Sequence, residues 1–337
     1  MNPISQKLLL TFLLGANVLL LKCNPIVAQG YEINPLEITE KDELLPSIDR
    51  PLTQFEKKRL KQAIEELDQE AQTKLQEEKE DEAFAIWYRK IRLTRVWGIV
   101  AEIEALTQVG TIAWEKGRNQ DINNINERLL ILEAENKEKN GQIEPELRPV
   151  FAKAYESIHN LDKSIEIYQE NLTLARQQQN QEQIKFSLDK LGEFYLAKFN
   201  YYEAEPIYKE LLALVRAREN YLQEGIYLRK LAEINSELSQ PNNAVTYKEA
   251  LAENQLKNQE LASLPMLKIA IADDYKTLDK PEEASKYYQE AFSLAWSLQQ
   301  FAAAGDALKK LAKLYESYQQ NDFALQTYQE VIKIEQQ

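Results

Sequence analysis

Cysteine and histidine are almost absent from this 337-residue chain: Cys23 and His159 are the single representatives of each. Without a second histidine or a cysteine beside it, neither a Ser-His-Asp nor a Cys-His arrangement has a supporting pattern. Zinc sites built from His and Cys are excluded as well. His159 stands beside Asn160 at a predicted helix end, where a surface histidine is expected. Glycine is scarce, nine in all and scattered, so no Gly-rich phosphate loop and no Gly-Lys-Ser/Thr motif can be drawn. No Asp-x-Asp-x-Asp-Gly calcium loop occurs. Sustained period-2 alternation is missing, which predicts no sheet. Carboxylates are plentiful, but nothing singles out a catalytic pair, and no cofactor or metal is expected. Positive charge is in deficit. The net charge is −13, and it becomes −15 without the first 29 residues, which carry Lys7 and Lys22 and no acid. Nucleic acid and anionic lipid are therefore poor partners. A neutral or basic protein suits the chain better, although acidic helix faces also serve solubility.

The one long apolar run, Leu8 to Leu21, lies at the N-terminus. It follows Lys7, precedes Asn24-Pro25-Ile26-Val27-Ala28-Gln29, and is shorter than the roughly 20 residues that span a bilayer. A short basic start, a short apolar core and a small residue just beyond it describe a secretory signal peptide over residues 1–29, cleaved after Ala28 or Gln29. The alternative is an uncleaved N-terminal anchor. A lipobox would place a small residue before Cys23, and Lys22 stands there. Cleavage would leave a mature chain without cysteine, which suits an oxidising exported compartment without requiring one. Residues 30–52 hold Pro35, Pro46 and Pro51 among many charges, with no helical period; they are expected to form a flexible linker.

What the rest of the chain has is a 40-residue repeat. Leu191-Gly192-Glu193-Phe194-Tyr195 recurs as Leu231-Ala232-Glu233-Ile234-Asn235, Ile271-Ala272-Asp273-Asp274-Tyr275 and Leu311-Ala312-Lys313-Leu314-Tyr315, and Phe151-Ala152-Lys153-Ala154-Tyr155 precedes them. Ala204, Ala244, Ala284 and Ala324 form a second column, with Ser164 in the first copy. Tyr168, Tyr208, Tyr288 and Tyr328 form a third, from which Lys248 departs. A fixed period of this length marks a stack of like units. Within residues 181–220, Leu188, Leu191 and Tyr195 share one helical face, and Ala204, Tyr208, Leu211, Leu212 and Val215 share another, with Asn200 between. The unit is helix, turn, helix. Towards the N-terminus the columns blur: Val109, Gly110, Ala113, Ile122 and Leu129 read as one degenerate copy, and Leu67, Ala71, Ala83 and Trp87 as another. The reading is an all-α solenoid of about seven antiparallel helix pairs over residues 53–337, degenerate over 53–140 and regular over 141–337. Pro241, Pro265 and Pro281 fall near predicted helix starts. Pro206 falls inside a predicted helix, which must start late or kink. Trp87, Trp97, Trp114 and Trp296 are all expected to pack in the core.

This unit resembles the tetratricopeptide repeat (TPR). Gly192, an aromatic three residues on (Tyr195), Ala204 twelve on and Tyr208 four later match that family's pattern step by step. Its usual length is about 34 residues, so the 40-residue copies imply longer helices, as in the kinesin light chain and bacterial helical-repeat regulators. The resemblance implies a right-handed superhelix whose first helices line a concave groove. Carried over, the groove candidates are Lys153, Phe186, Asp189, Glu193, Arg229, Glu233, Asp273, Lys309 and Lys313, running from acidic in the middle to basic near the end. The Lys/Asn/Lys/Arg carboxylate clamp of chaperone-binding members is not matched: Asp189 with Glu193, Arg229 with Glu233, and Ile269 with Asp273 stand there. The last pair leaves Val331, Ile332 and Ile334 without a following repeat. They make a candidate docking or self-association face, unless the polar Glu335-Gln336-Gln337 tail covers them.

These features imply a non-enzymatic protein-interaction scaffold or assembly factor, exported, that binds a protein or peptide along its concave face. The alternative is a peptide-binding regulator that changes superhelical pitch; known regulators of that kind act in the cytoplasm, against which the export segment speaks. Membrane attachment is expected only if the N-terminal segment is retained.

Overall fold

The computed structural model describes residues 34–48 and 50–335, with the backbone alone at 334 and 335. The signal-peptide segment lies outside the described residues. The described residues form fourteen α-helices and no strand. They pair as α1 (Gln54–Gln76) with α2 (Glu80–Thr94), α3 (Ile99–Glu115) with α4 (Asn119–Asn140), and α5 (Arg148–Ser157) with α6 (Leu161–Gln177). Then follow α7 (Gln181–Ala197) with α8 (Tyr201–Ala217), α9 (Tyr221–Glu237) with α10 (Pro241–Lys257), α11 (Leu264–Thr277) with α12 (Pro281–Ser297), and α13 (Phe301–Ser317) with α14 (Asn321–Glu335). These are seven pairs of an all-α solenoid.

The turns explain the period. His159, Gln179, Phe199, Glu219, Ser239, Gln259, Asp279, Gln299 and Gln319 all have φ between +53° and +61°, and they recur at one constant spacing. Every such residue ends a helix in the left-handed conformation. The residue after it sends its N–H back to a carbonyl in the last turn of that helix: Asn180 to Ala175 (2.9 Å), Asn200 to Tyr195 (2.8 Å), Asn220 to Val215 (3.0 Å). The same asparagine then caps the next helix. The side chains of Asn160, Asn180, Asn200 and Asn220 accept from the backbone N–H of Lys163, Gln183, Glu203 and Gln223. One residue thus closes one helix and opens the next. Where Gln240 and Lys280 stand instead, no side-chain cap forms and Pro241 or Pro281 occupies the first helical position, which needs no N–H. A helix of 17 residues plus this three-residue turn makes half of the period, and two such halves complete it.

Each helix buries a face it cannot bury alone. Leu188, Leu191, Tyr208, Leu211, Val215, Leu228 and Leu231 belong to one continuous core that starts at Leu36 and reaches Leu251. A second core begins at Ile269 and takes in Tyr288, Leu311 and Val331. Gly192 is required by contact: a Cβ there would stand 2.9 Å from the Tyr208 ring.

Three expectations are corrected. Residues 34–48 lie against the solenoid and are no free tether. Leu36 is fully buried, the Asn34 amide donates to the Asn124 carbonyl (2.8 Å), Arg95 donates to the Leu36 carbonyl (2.6 Å), and Arg89 pairs with Asp42 (2.7 Å). One buried leucine anchors a segment whose composition reads as linker. Next, Trp87 is fully buried, but Trp97, Trp114 and Trp296 are 40, 46 and 39% exposed. Trp114 stacks on His159 at 3.8 Å, because helix α3 ends where the left-handed turn brings the imidazole over it. Finally, α8 starts at Tyr201 and runs through Pro206. Both Tyr202 and Pro206 are exposed, so the carbonyl that loses its N–H faces water.

The turns make a direct prediction. Gln179→Gly and Gln299→Gly should each stabilise by about 0.5–1 kcal/mol, as relief of left-handed strain exceeds the flexibility that glycine adds to the unfolded chain. Asn180→Ala should destabilise by about 1 kcal/mol through loss of the cap. Urea denaturation of the three variants checks both signs.

Candidate protein-interaction groove

The first helices α5, α7, α9, α11 and α13 bear all nine predicted groove residues, and the second helices floor the clefts between them. The structure sorts the nine into two kinds. Asp189 and Asp273 are held in place. Asp189 accepts from the Tyr227 hydroxyl (2.6 Å) and the Lys185 ammonium (2.7 Å). Asp273 accepts from the Tyr288 hydroxyl (2.5 Å) and Lys310 (2.7 Å). Glu156 has the same company, Tyr168 (2.7 Å) and Lys190 (3.0 Å). Upstream, Glu133 accepts from Tyr155 (2.6 Å), Lys163 (3.1 Å) and Lys137 (2.7 Å).

This tyrosine–carboxylate–lysine arrangement stitches adjacent helices. A tyrosine hydroxyl is the donor that a buried ring can still offer, and the ammonium balances the charge. Burial and the neighbouring carboxylate both push the phenols of Tyr155, Tyr227 and Tyr288 far above their ordinary value. Tyr275, whose hydroxyl donates to Glu249 at 2.7 Å, is pushed up to about 12 by burial and that bond. Burial alone would raise the Glu133 carboxyl, yet bonds from Lys137, Tyr155 and Lys163 outweigh it and hold it below the ordinary carboxylate range.

The other candidates face solvent. Lys153, Phe186, Glu193, Arg229, Glu233, Lys309 and Lys313 are exposed. Glu193 lies 3.9 Å from Lys190 and Glu233 lies 3.4 Å from Lys230, both contacts along a single helix and worth little in water. Phe186 is half exposed and meets the Tyr168 ring edge-on at 5.9 Å.

Two clefts open on this face. One, of about 620 Å³, lies between α5 and α7 over α6, with Lys153, Glu156, Tyr168, Phe186 and Lys190 in its walls. The other, of about 400 Å³, lies between α9 and α11 over α10, with Arg229, Ala232, Glu233, Lys248, Leu251 and Gln255. Four of the predicted residues thus line clefts. Ala152, Lys153 and Glu156 occupy the columns of Ala232, Glu233 and Ser236, so the two clefts are the same position two repeats apart. The sequence reading missed the floors, Tyr168 and Gln255. The break at Lys248 in the tyrosine column was the available signal for the second.

At the far end, Val331 is buried against the last pair and belongs to its core, which corrects its assignment to an end face. Ile332 is 53% exposed, and the Ile334 side chain lies outside the described residues. Among the described residues no group of three or more His, Cys, Asp or Glu is placed to hold a metal ion, and no helix is long and apolar enough to cross a membrane.

No protein-family model matches the sequence, and no curated protein matches it. Among solved structures, the chain is similar to BtubC (BKLC) from P. vanneervenii, at 19% identity over 52% of this chain and 74% of that one, with a TM-score of 0.37. A kinesin light chain with nearly identical TPR-like repeats from Podosopora anserina is 16% identical over 56% and 93%, with a TM-score of 0.41. The apo form of RapI is 14% identical over 81% and 98%, with a TM-score of 0.37. Each is a likeness of repeated helix pairs.

The two kinds of groove carboxylate should separate on mutation. Asp189→Ala should destabilise by about 1–3 kcal/mol, because it strands a buried hydroxyl and an ammonium, whereas Glu193→Ala should change stability by less than about 0.5 kcal/mol. For Glu133 the depressed carboxyl contributes stability above the unfolded value near 4.3 and loses it as pH falls through the folded value. Glu133→Gln should therefore destabilise at pH 7, and its deficit against the parent should shrink as pH falls below the unfolded value, in denaturation curves recorded across that range.

Proposed function

We propose that this protein is an exported, non-catalytic scaffold that holds a segment of another protein along the first-helix face. The observation that carries the reading is the pair of open clefts two repeats apart on that face, rimmed by exposed charged side chains. The adjoining carboxylates are already engaged in the fold. Surfaces that bind usually combine a concave, partly apolar floor with a polar rim, and this face has both. The acidic chain favours a neutral or basic partner. Export rests on the N-terminal pattern of Lys7, the apolar run to Leu21 and Ala28.

Lys309 and Lys313 form the basic end of the face and are the natural contacts for an acidic stretch of the partner. Affinity capture of the full-length tagged protein from its native cells, with mass spectrometry of partners and of the bait's own N-terminus, tests the reading. A recurrent set of exported proteins, lost or reduced at least tenfold with Lys309→Glu/Lys313→Glu, and a bait starting near Gln29 are the expected results. A bait retaining Met1 with cytoplasmic partners would overturn export. A partner set indifferent to the charge reversal would overturn the basic end as a contact.

A further inference from the structure

The repeat spanning residues 221–260 departs from its neighbours in a way that specifies a ligand. In the cleft between α7 and α9, Tyr208 and Tyr227 close the space with their rings 6.1 Å apart. One repeat later the same two columns hold Lys248 and Leu267, and a cleft of about 400 Å³ takes the place of the rings. The apolar core thins at the same place: the large core reaches Leu251, the next runs from Ile269, and only the small cluster of Ala252, Leu264 and Ile271 lies between them.

The chemistry around the cleft keeps the imprint of a tyrosine. In the following repeat the Tyr288 hydroxyl donates to Asp273. One repeat earlier the two positions are Lys248 and Glu233. Lys248 turns away to Asp274 (2.6 Å). Glu233 is 57% exposed and has a surface lysine 3.4 Å away, but no phenol. The floor is polar as well. Gln255, 2% exposed, stands in the column that holds Ala175, Val215 and Ala295. Its amide nitrogen donates to Ser263 (3.1 Å) and its amide oxygen has no hydrogen-bond partner. Leaving such a group unpaired costs about 1–3 kcal/mol. That cost falls in a wall of a cleft that has no ring of its own.

Resting on the groove reading above, we infer that this cleft is an anchor site for a tyrosine side chain of the bound partner. The incoming ring lies over Ala232, Leu251 and Leu267, and its hydroxyl donates to Glu233 as Tyr288 does to Asp273. A phenylalanine would fill the space but leave Glu233 without that donor.

The test needs no knowledge of the partner. N-acetyl-tyrosinamide and N-acetyl-phenylalaninamide are titrated separately into the isotope-labelled full chain, and backbone amide shifts are followed. Saturable shifts centred on Ala232, Glu233, Leu251, Gln255 and Leu267, with at least threefold weaker binding of the phenylalanine compound, are expected. Lys248→Tyr/Leu267→Tyr, which restores both columns from within, should abolish the shifts. Should that variant fold poorly, Ser236→Phe covers the cleft from its exposed rim and should abolish them too. Glu233→Gln should keep binding but reduce the preference for the phenol. Absence of saturable shifts at these residues, shifts that persist in a folded cleft-filling variant, or equal binding of the two compounds would overturn the proposal. A failed titration beside a successful, charge-dependent capture would sink the anchor and leave the scaffold reading standing; the reverse outcome would do the opposite.

Discussion

A three-residue turn, repeated after helix upon helix, sets everything else in this molecule. Its central residue is left-handed, its last residue satisfies the end of one helix and, where it is asparagine, the start of the next, and no glycine is used at the positions from His159 to Gln319. Because the turn recurs while side chains vary, the helices leave it at the same phase, with one longer link between α10 and α11. Apolar columns one repeat apart therefore fall on one seam. Neighbour packing then supplies the stability that no single pair has.

That division of labour explains where variation is tolerated. The seam must be apolar, and it is from Leu36 to Leu251, through the small cluster of Ala252, Leu264 and Ile271, and from Ile269 onward. The lateral contacts between helices are polar, made by phenol, carboxylate and ammonium together. These groups are costly when unpaired and specific when satisfied, so they fix how one pair sits on the next. Carboxylates recruited for this purpose, such as Asp189 and Asp273, are not at the disposal of a ligand even though they line the groove. What remains for recognition is the exposed charge on the first helices and the clefts that the tyrosines do not fill.

Much of this was legible in the sequence, because period and column identity translate directly into helix faces. The seven pairs follow from spacing, and the groove residues were placed on first helices by the family resemblance. Other features were not legible. The docked stretch around Leu36 depends on a single burial event and on Arg89 and Arg95, which are remote in the chain and leave no local pattern. Trp97, Trp114 and Trp296 share helices with core residues or border them, and composition alone does not say which side of a helix end is covered. Val331 looks terminal in the sequence yet faces back into the last pair. The open cleft beside Lys248 lies between these cases. The broken column was visible, but the space it leaves depends on Leu267 and Gln255, two further positions whose meaning requires the fold.

The central claim is that the first-helix face is the one that binds. Lysine-reactive crosslinking of the captured complex, read by mass spectrometry, tests it most directly. Exposed lysines stand on both sides: Lys153, Lys309 and Lys313 on first helices, Lys209 and Lys286 on second helices. The account predicts partner crosslinks concentrated on Lys153, Lys309 and Lys313. Crosslinks concentrated on Lys209 and Lys286 would contradict it.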